Sequence, residues 1–339
     1  MNDLSAPSVS VILPILNEES DLENCITAIL QQDYDGELEV ILALGPSKDS
    51  TDLIAQKIAA KDKRVKLVKN PTGLTAAGLN LAIKASSFEI ICRIDGHAEI
   101  SKTYIKSAVS IMRETGAVNV GGIMFADSDH GLQRTVAQAM RSKLGVGPSK
   151  FHTGGGAGES ETVYLGTFKK SAILAAGGFD ERFIRAQDWE LNYRIRKQGG
   201  LIWFDPRLVV TYRPRKTFSK LARQYFQYGR WRRVITRTHS NTSSLRYLAP
   251  PFALVINLFS LVSGIFVTPL LLLPLMVYIF AIVIGGFLIG RKITDKLLMP
   301  LVLATMHMSW GVGFITSPKT YLKVSCCEEL SLSHSKCRF

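Results

Sequence analysis

The first hundred residues alternate between two hydrophobic rhythms. Compact runs at 9–14, 38–44, 65–68 and 88–94 carry β-branched residues, and all but the third end at Pro, Gly or Asp. They read as strands, the first of them buried on both faces. Between them the period lengthens. Leu22, Ile26, Ile29 and Leu30 mark one face of a helix running to about Gln32, Gly45–Thr51 is a loop capping a second helix, and 75–86 is a third, rich in Ala and Leu. Strands alternating with helices predict an α/β fold: a mostly parallel, Rossmann-like sheet with helices on both faces. Farther on, 163–168 resembles a strand and a helix starts near Asp188, burying Trp189 and Tyr193.

The second half of the pattern is different. From about 217 to 239, Phe218, Leu221, Tyr225, Tyr228 and Trp231 recur at helical spacing among Arg and Lys, as in a basic helix lying at a membrane interface. About 40 residues from Leu248 to Gly290 then carry no charge, twice the ~20 that one span needs. Pro269 divides them into helices near 251–268 and 270–290, and 297–317 is a third apolar stretch. The expected organisation is 1–215 as catalytic domain, 216–247 as interfacial helix, 248–318 as membrane segment and 319–339 as tail. Arg291, Lys292 and Lys296 form a positive loop, which the positive-inside rule assigns to the cytosol with the N-terminal domain. A third span would leave the tail outside. The expectation is a multi-pass protein of the plasma membrane.

Composition sharpens this picture at two points. The 339 residues carry a net charge of +13, and no Asp or Glu occurs between Pro206 and Thr294. A basic segment beside an apolar one suits an anionic membrane surface, and no nucleic-acid recognition motif accompanies it. Cys25, Cys92, Cys326, Cys327 and Cys337 form no regular framework. A reduced compartment is the simpler reading for the first two, and the polar N-terminus has no signal-peptide pattern.

Candidate chemistry gathers where strands end. In parallel sheets ligands bind beyond the carboxyl ends of the strands. That places Pro14, Asn17 and Glu18, then Ser47, then Asp95 and His97 along one edge. An Asp and a His two apart around a Gly are a ligand pair for Mn²⁺ or Mg²⁺ holding a diphosphate. Neither G-x-G-x-x-G after a strand nor a Walker pattern is present, which disfavours dehydrogenases and ATPases. The glycine-rich 151–158 segment fits either a substrate-approaching loop or a plain connection. Asp188 fits either a helix cap or a general base.

Taken in order, these motifs resemble the family-2 glycosyltransferases of GT-A fold, over about residues 8–240 and the membrane segment. Val11-Ile12-Leu13-Pro14 through Glu18 resembles the family's nucleotide loop. Asp95-Gly96-His97 sits where the family has D-x-D, Gly177–Glu181 and Gln187-Asp188 resemble its acceptor-side motifs, and Gln227-Tyr228-Gly229-Arg230-Trp231 matches Q-x-x-R-W. Arg93–Glu99 and 228–232 are similar to the succinoglycan-type glucosyltransferases called ExoA. Leu44 stands where the family usually has an Asp on the nucleoside, and His97 replaces the second metal-site acid.

The resemblance implies an inverting hexosyltransferase using a nucleotide sugar, with a UDP-hexose as the expected donor and a lipid-linked or polysaccharide acceptor. Pro14, Asn17, Glu18, Ser47, Asp95, Gln227 and Arg230 would bind the donor, Asp95 and His97 the cation, and Trp231 and Gly166 the acceptor, with Asp188 as base. A polyprenyl-phosphate hexose transferase and a catalytically silent nucleotide-binding membrane scaffold are the alternatives.

Overall fold

The computed structural model describes residues 6–239 and 241–319. In chain order the strands are β1 (Val9–Ile15), β2 (Leu38–Leu44), β3 (Val65–Lys69), β4 (Ile90–Arg93), β5 (Glu99–Ile100), β6 (Asn119–Ala126), β7 (Gly158–Glu159), β8 (Tyr164–Lys169) and β9 (Ile202–Tyr212). The helices are α1 (Leu22–Leu30), α2 (Thr51–Lys61), α3 (Thr75–Ala85), α4 (Tyr104–Thr115), α5 (Gly131–Met140), α6 (Lys143–Val146), α7 (Lys150–Thr153), α8 (Lys170–Ala175), α9 (Gln187–Lys197), α10 (Phe218–Thr238), α11 (Leu245–Phe266), α12 (Leu273–Ile289) and α13 (Ile293–Ile315).

Two compact units emerge. The first comprises residues 6–124 and 154–211, the second residues 125–153 and 212–319. The division is not the contiguous one expected from sequence, because 125–153 belongs with the C-terminal helices.

The first unit is built on a mixed sheet of order β3-β2-β1-β4-β8-β6-β9-β5, with β7 on β9. β1 through β4 are parallel: Val11 pairs with Val40 on one side and Cys92 on the other. β8 then runs antiparallel to β4, with Cys92 opposite Thr167. β1 and β2 are nearly all buried, as two-faced apolar strands require. Leu22, Ile26 and Ile29 of α1 pack into the same core as Val9, Val11 and Leu13. At Gly122 the sheet closes so tightly that a Cβ would lie 1.8 Å from the Leu208 carbonyl oxygen.

Among the charged residues buried in this sheet is one on β2. Glu39 on β2 is buried and accepts hydrogen bonds from Ser10 Oγ (2.5 Å), the Ser87 backbone N–H (2.5 Å) and Lys66 Nζ (2.6 Å). Burial alone would raise its carboxyl, but these donors override it and hold the group below its usual range. The stability it contributes is therefore present above the unfolded value of about 4.3 and lost as pH falls through the lower folded value. Glu39→Gln is expected to cost roughly 1.5–3 kcal/mol at pH 7, the scale of charged hydrogen bonds. Thermal unfolding in detergent should show the gap at pH 7 narrowing below about pH 4; a gap independent of pH would exclude this role.

Candidate active site

The carboxyl ends of β1, β2 and β4 meet through hydrogen bonds between their loops. The Asn17 backbone N–H donates to Ser47 Oγ (3.1 Å), and Lys48 N–H returns a bond to Asn17 Oδ1 (2.7 Å). The Glu18 N–H donates to Thr51 Oγ1 (2.7 Å). Glu18 then reaches the loop after β4, where Oε1 lies 2.9 Å from His97 Nδ1. Gly96 permits that approach, since a Cβ there would fall 2.8 Å from Ile15 Cδ1 and 3.1 Å from Glu18 Cγ. Asn17, Glu18, Ser47, Asp95 and His97 are thus brought together as expected from strand order, with Pro14 in register beside β2 at Ala43.

Asp188 arrives from a different part of the chain. It occupies the first turn of α9, where a carboxylate is favoured by the helix dipole. The helix is fixed from below by buried Leu191 and Ile195, and by Asn192, whose Oδ1 accepts from Asn119 Nδ2 of β6 at 2.7 Å. Arg194 pairs with Glu190 one turn back and donates to the Ala176 carbonyl. Ala186, immediately before the helix, holds a left-handed backbone (φ 61°), as do Asn17 (φ 56°) and Leu165 (φ 43°). Each costs about 1–3 kcal/mol, and such strain clusters at functional sites.

A residue that sequence reasoning did not single out joins these two halves. Arg93, the last residue of β4, is 5% exposed and donates to both carboxylates. Its Nη2 lies 3.0 Å from Asp95 Oδ1, and its Nη1 bonds Asp188 Oδ1. Burial would push this guanidinium down, but Asp188 and Asp95 together hold it well above its usual range. It is charged at every working pH. Asp95 (23% exposed) and Asp188 (33% exposed) are therefore held on either side of a single cation, each still partly exposed. A signal was available: an Arg inside an otherwise apolar, doubly buried strand demands acidic partners.

The donor set fits a cation completed by substrate. Among the described residues no cluster of three His, Cys, Asp or Glu is assembled to hold a metal. Arg93 engages Oδ1 of Asp95 and leaves Oδ2, while Glu18 engages Nδ1 of His97 and leaves Nε2. The Glu18 bond raises His97 above its ordinary value, against the opposing effect of burial. Two protein ligands suit an ion that takes its remaining ligands from phosphate and water.

Two acceptor-side expectations need correction. Gly166 is buried, and a Cβ there would meet Asn119 Oδ1 at 2.3 Å, so its glycine is required by packing. Trp231 is 1% exposed, which leaves no ring face to stack on a ligand. Gly177–Glu181 is likewise tied down: Asn80 bonds both the N–H and the C=O of Phe179 (2.9 Å each). Gln227 and Arg230 belong to the second unit, on α10, where the Arg230 guanidinium lies 5.2 Å above the Phe226 ring.

Comparison with known proteins agrees with this architecture. Residues 10–173 match the profile of Glycosyl transferase family 2. The succinoglycan biosynthesis protein ExoA of Rhizobium meliloti is 30% identical over 92% of this chain and 96% of its own length. A dolichyl N-acetyl-α-D-glucosaminyl phosphate 3-β-D-2,3-diacetamido-2,3-dideoxy-β-D-glucuronosyltransferase of Methanococcus voltae is 26% identical over 90% of this chain and 95% of its own. Among solved structures, the mannosyltransferase PcManGT of Pyrobaculum calidifontis, in complex with GDP-Man and Mn²⁺, superposes with a TM-score of 0.55 at 19% identity, covering 96% of this chain and 87% of that one. S. aureus TarS 1–349 does so with a TM-score of 0.51 at 16% identity, covering 98% and 93%. The fold is GT-A, and the chain belongs to glycosyl transferase family 2.

Proposed function

We propose that this glycosyltransferase is an inverting, cation-assisted enzyme that moves a hexose from a nucleoside-diphosphate sugar to a hydroxyl of a lipid-linked glycan at the cytosolic face of the plasma membrane. The observation that supports this reading is the Arg93 bridge, which holds Asp95 and Asp188 on one guanidinium. A departing diphosphate gathers negative charge at the Asp95 side, and a base is needed at the other. The names of the relatives support the pathway: one acts in succinoglycan biosynthesis and another on a dolichyl-linked sugar phosphate.

In this reading Asp95 and His97 would hold a divalent cation, which would neutralise diphosphate charge when bound. Glu18 orients the imidazole through Nδ1 and so selects the nitrogen offered. Asp188 accepts the acceptor hydroxyl proton on its free oxygen, while Arg93 fixes the other and keeps the carboxylate from turning. Attack from the Asp188 face, opposite the leaving group, inverts the anomeric centre. A held carboxylate favours a hydroxyl acceptor over a lipid phosphate, which is already an anion and needs little general-base help.

Asp188→Asn is expected to leave donor binding near normal and to lower kcat by about 10²–10⁴-fold. Donor titration alongside transfer of labelled sugar checks this; retained turnover would remove Asp188 from the chemistry. Arg93→Lys offers a compact ammonium that reaches one carboxylate but not both. It should lower kcat by roughly 10²-fold, the scale of an ångström-sized misplacement, with KM for the donor little changed. An unaffected kcat would make Arg93 a purely structural residue. Gln227→Ala and Arg230→Ala test the role that the Q-x-x-R-W resemblance implies: a donor role raises KM for the nucleotide sugar, and an unchanged KM would exclude it.

A further inference from the structure

Among the described residues three helices are long and apolar enough to cross a membrane: α11, α12 with the turn before it, and α13. Length and composition do not say that each one does. The neighbours of α13 within the second unit argue that it does not.

Both ends and the middle of α13 are tied to polar elements that precede α11 in the chain. Near its start, Asp295 is fully buried and receives Arg134 Nη2 (2.9 Å), Thr135 Oγ1 (3.1 Å) and Gln138 Nε2 (2.9 Å), all from α5. At its middle, His307 Nε2 lies 2.8 Å from the Leu144 carbonyl oxygen of α6. Just past its end, the carbonyl oxygens of Ser317 and Pro318 each accept from Arg237 Nη1 of α10 at 2.9 Å. A crossing helix of 23 residues would set these ends on opposite faces, about 34 Å apart. Yet among the described residues the first helix able to cross is α11, so α5, α6 and α10 all belong to one side.

The packing of α10 strengthens the argument. α10 runs beside the second half of α13 in the same direction. A Cβ on Gly229 would lie 2.1 Å from the Trp310 carbonyl oxygen, and one on Gly313 would lie 2.0 Å from that of Phe226. The Arg233 guanidinium sits 5.0 Å over the Phe314 ring. α10 carries Lys220, Arg223, Arg230, Arg232, Arg233 and Arg237 and no acidic residue. If α13 crossed, this helix would be carried into the hydrocarbon with it, where each such charge is costly.

The α11–α12 pair differs. Ser260 Oγ donates to the Leu271 carbonyl oxygen (2.6 Å) and accepts from the Leu275 N–H (3.2 Å), closing a hairpin. Its outer surface is apolar, with Phe252, Phe259, Phe266, Leu270 and Phe280 exposed. α12 returns alongside the first half of α13: a Cβ on Gly290 would meet Lys296 N at 2.7 Å, one on Gly286 would meet Pro300 at 3.0 Å, and Tyr278 Oη lies 3.2 Å from His307 Nδ1. α13 itself exposes one apolar stripe, Ile293, Leu297, Leu301, Val312 and Ile315, opposite the face that packs on protein. A one-sided stripe of this kind lies in a lipid interface.

We propose that α13 lies along the membrane surface with its stripe in the lipid and α12 beside it, and that the far end of the α11–α12 hairpin, around Phe266 and Leu270, is the part that reaches into the bilayer. The chain then returns to the side it left. Ser317 and the residues after it share a compartment with the N-terminus, in place of the outside location expected for a third span.

The test uses the full chain with different epitope tags at its two ends, made in a bacterial host. Intact spheroplasts are treated with an impermeant protease, and the membrane fraction is probed for both tags before and after lysis. Both tags should share one fate: protected in intact cells and lost on lysis. Loss of one tag from intact spheroplasts with survival of the other means an odd number of crossings and overturns the proposal. The outcome is independent of glycosyl transfer, so its failure would leave the reading of the catalytic crevice untouched.

Discussion

The catalytic unit depends on one buried cation. Arg93 ends a strand in the middle of the sheet, where a charge is tolerated only with partners. Its partners are the carboxylate expected to hold the donor's cation and the carboxylate expected to deprotonate the acceptor. A guanidinium suits this role because its planar fork offers two donors at fixed separation. The formal charge of the triad is −1, which a divalent cation converts to +1 facing a diphosphate. The same group that lets the two acids share a crevice therefore also keeps that crevice from being strongly anionic before the donor enters.

Much of this was legible in the chain, and the reasons differ by element. β1, β2 and β4 are two-faced apolar strands broken by Pro, Gly or Asp, so their ends, and with them Asn17, Ser47 and Asp95, could be placed on one edge. Asp188 was legible as a first-turn residue of a helix. That it lies near Asp95 was implied only by the family resemblance, because α9 enters through a long-range contact across 95 positions. Arg93 was passed over as part of a motif although its place inside an apolar run carried the information. Gly166 and Trp231 show the converse: residue type alone does not separate a ligand contact from a packing requirement, and here Asn119 and burial explain both positions. β5, β6, β7 and β9 of the antiparallel part were not assigned, β5 and β7 being two residues long.

At the C-terminal end the pattern fixed apolarity without direction. A helix packed along one side by protein and along the other by lipid has the same composition as one that crosses. What separates them is the polar neighbours, and Asp295 with Arg134 lies 161 positions apart in the chain. The first unit is the GT-A fold that carries the proposed site, and the second is rich in arginine and apolar helices, a composition suited to a membrane surface.

The most direct measurement is an experimental structure of the full chain with Mn²⁺ and a non-transferable nucleotide sugar, the cation located by anomalous scattering. The account predicts a peak about 2.0–2.2 Å from Asp95, the anomeric carbon turned toward Asp188, and Arg93 still joined to both carboxylates. A cation bound away from Asp95, or a sugar in a cavity that Asp188 does not face, would contradict it.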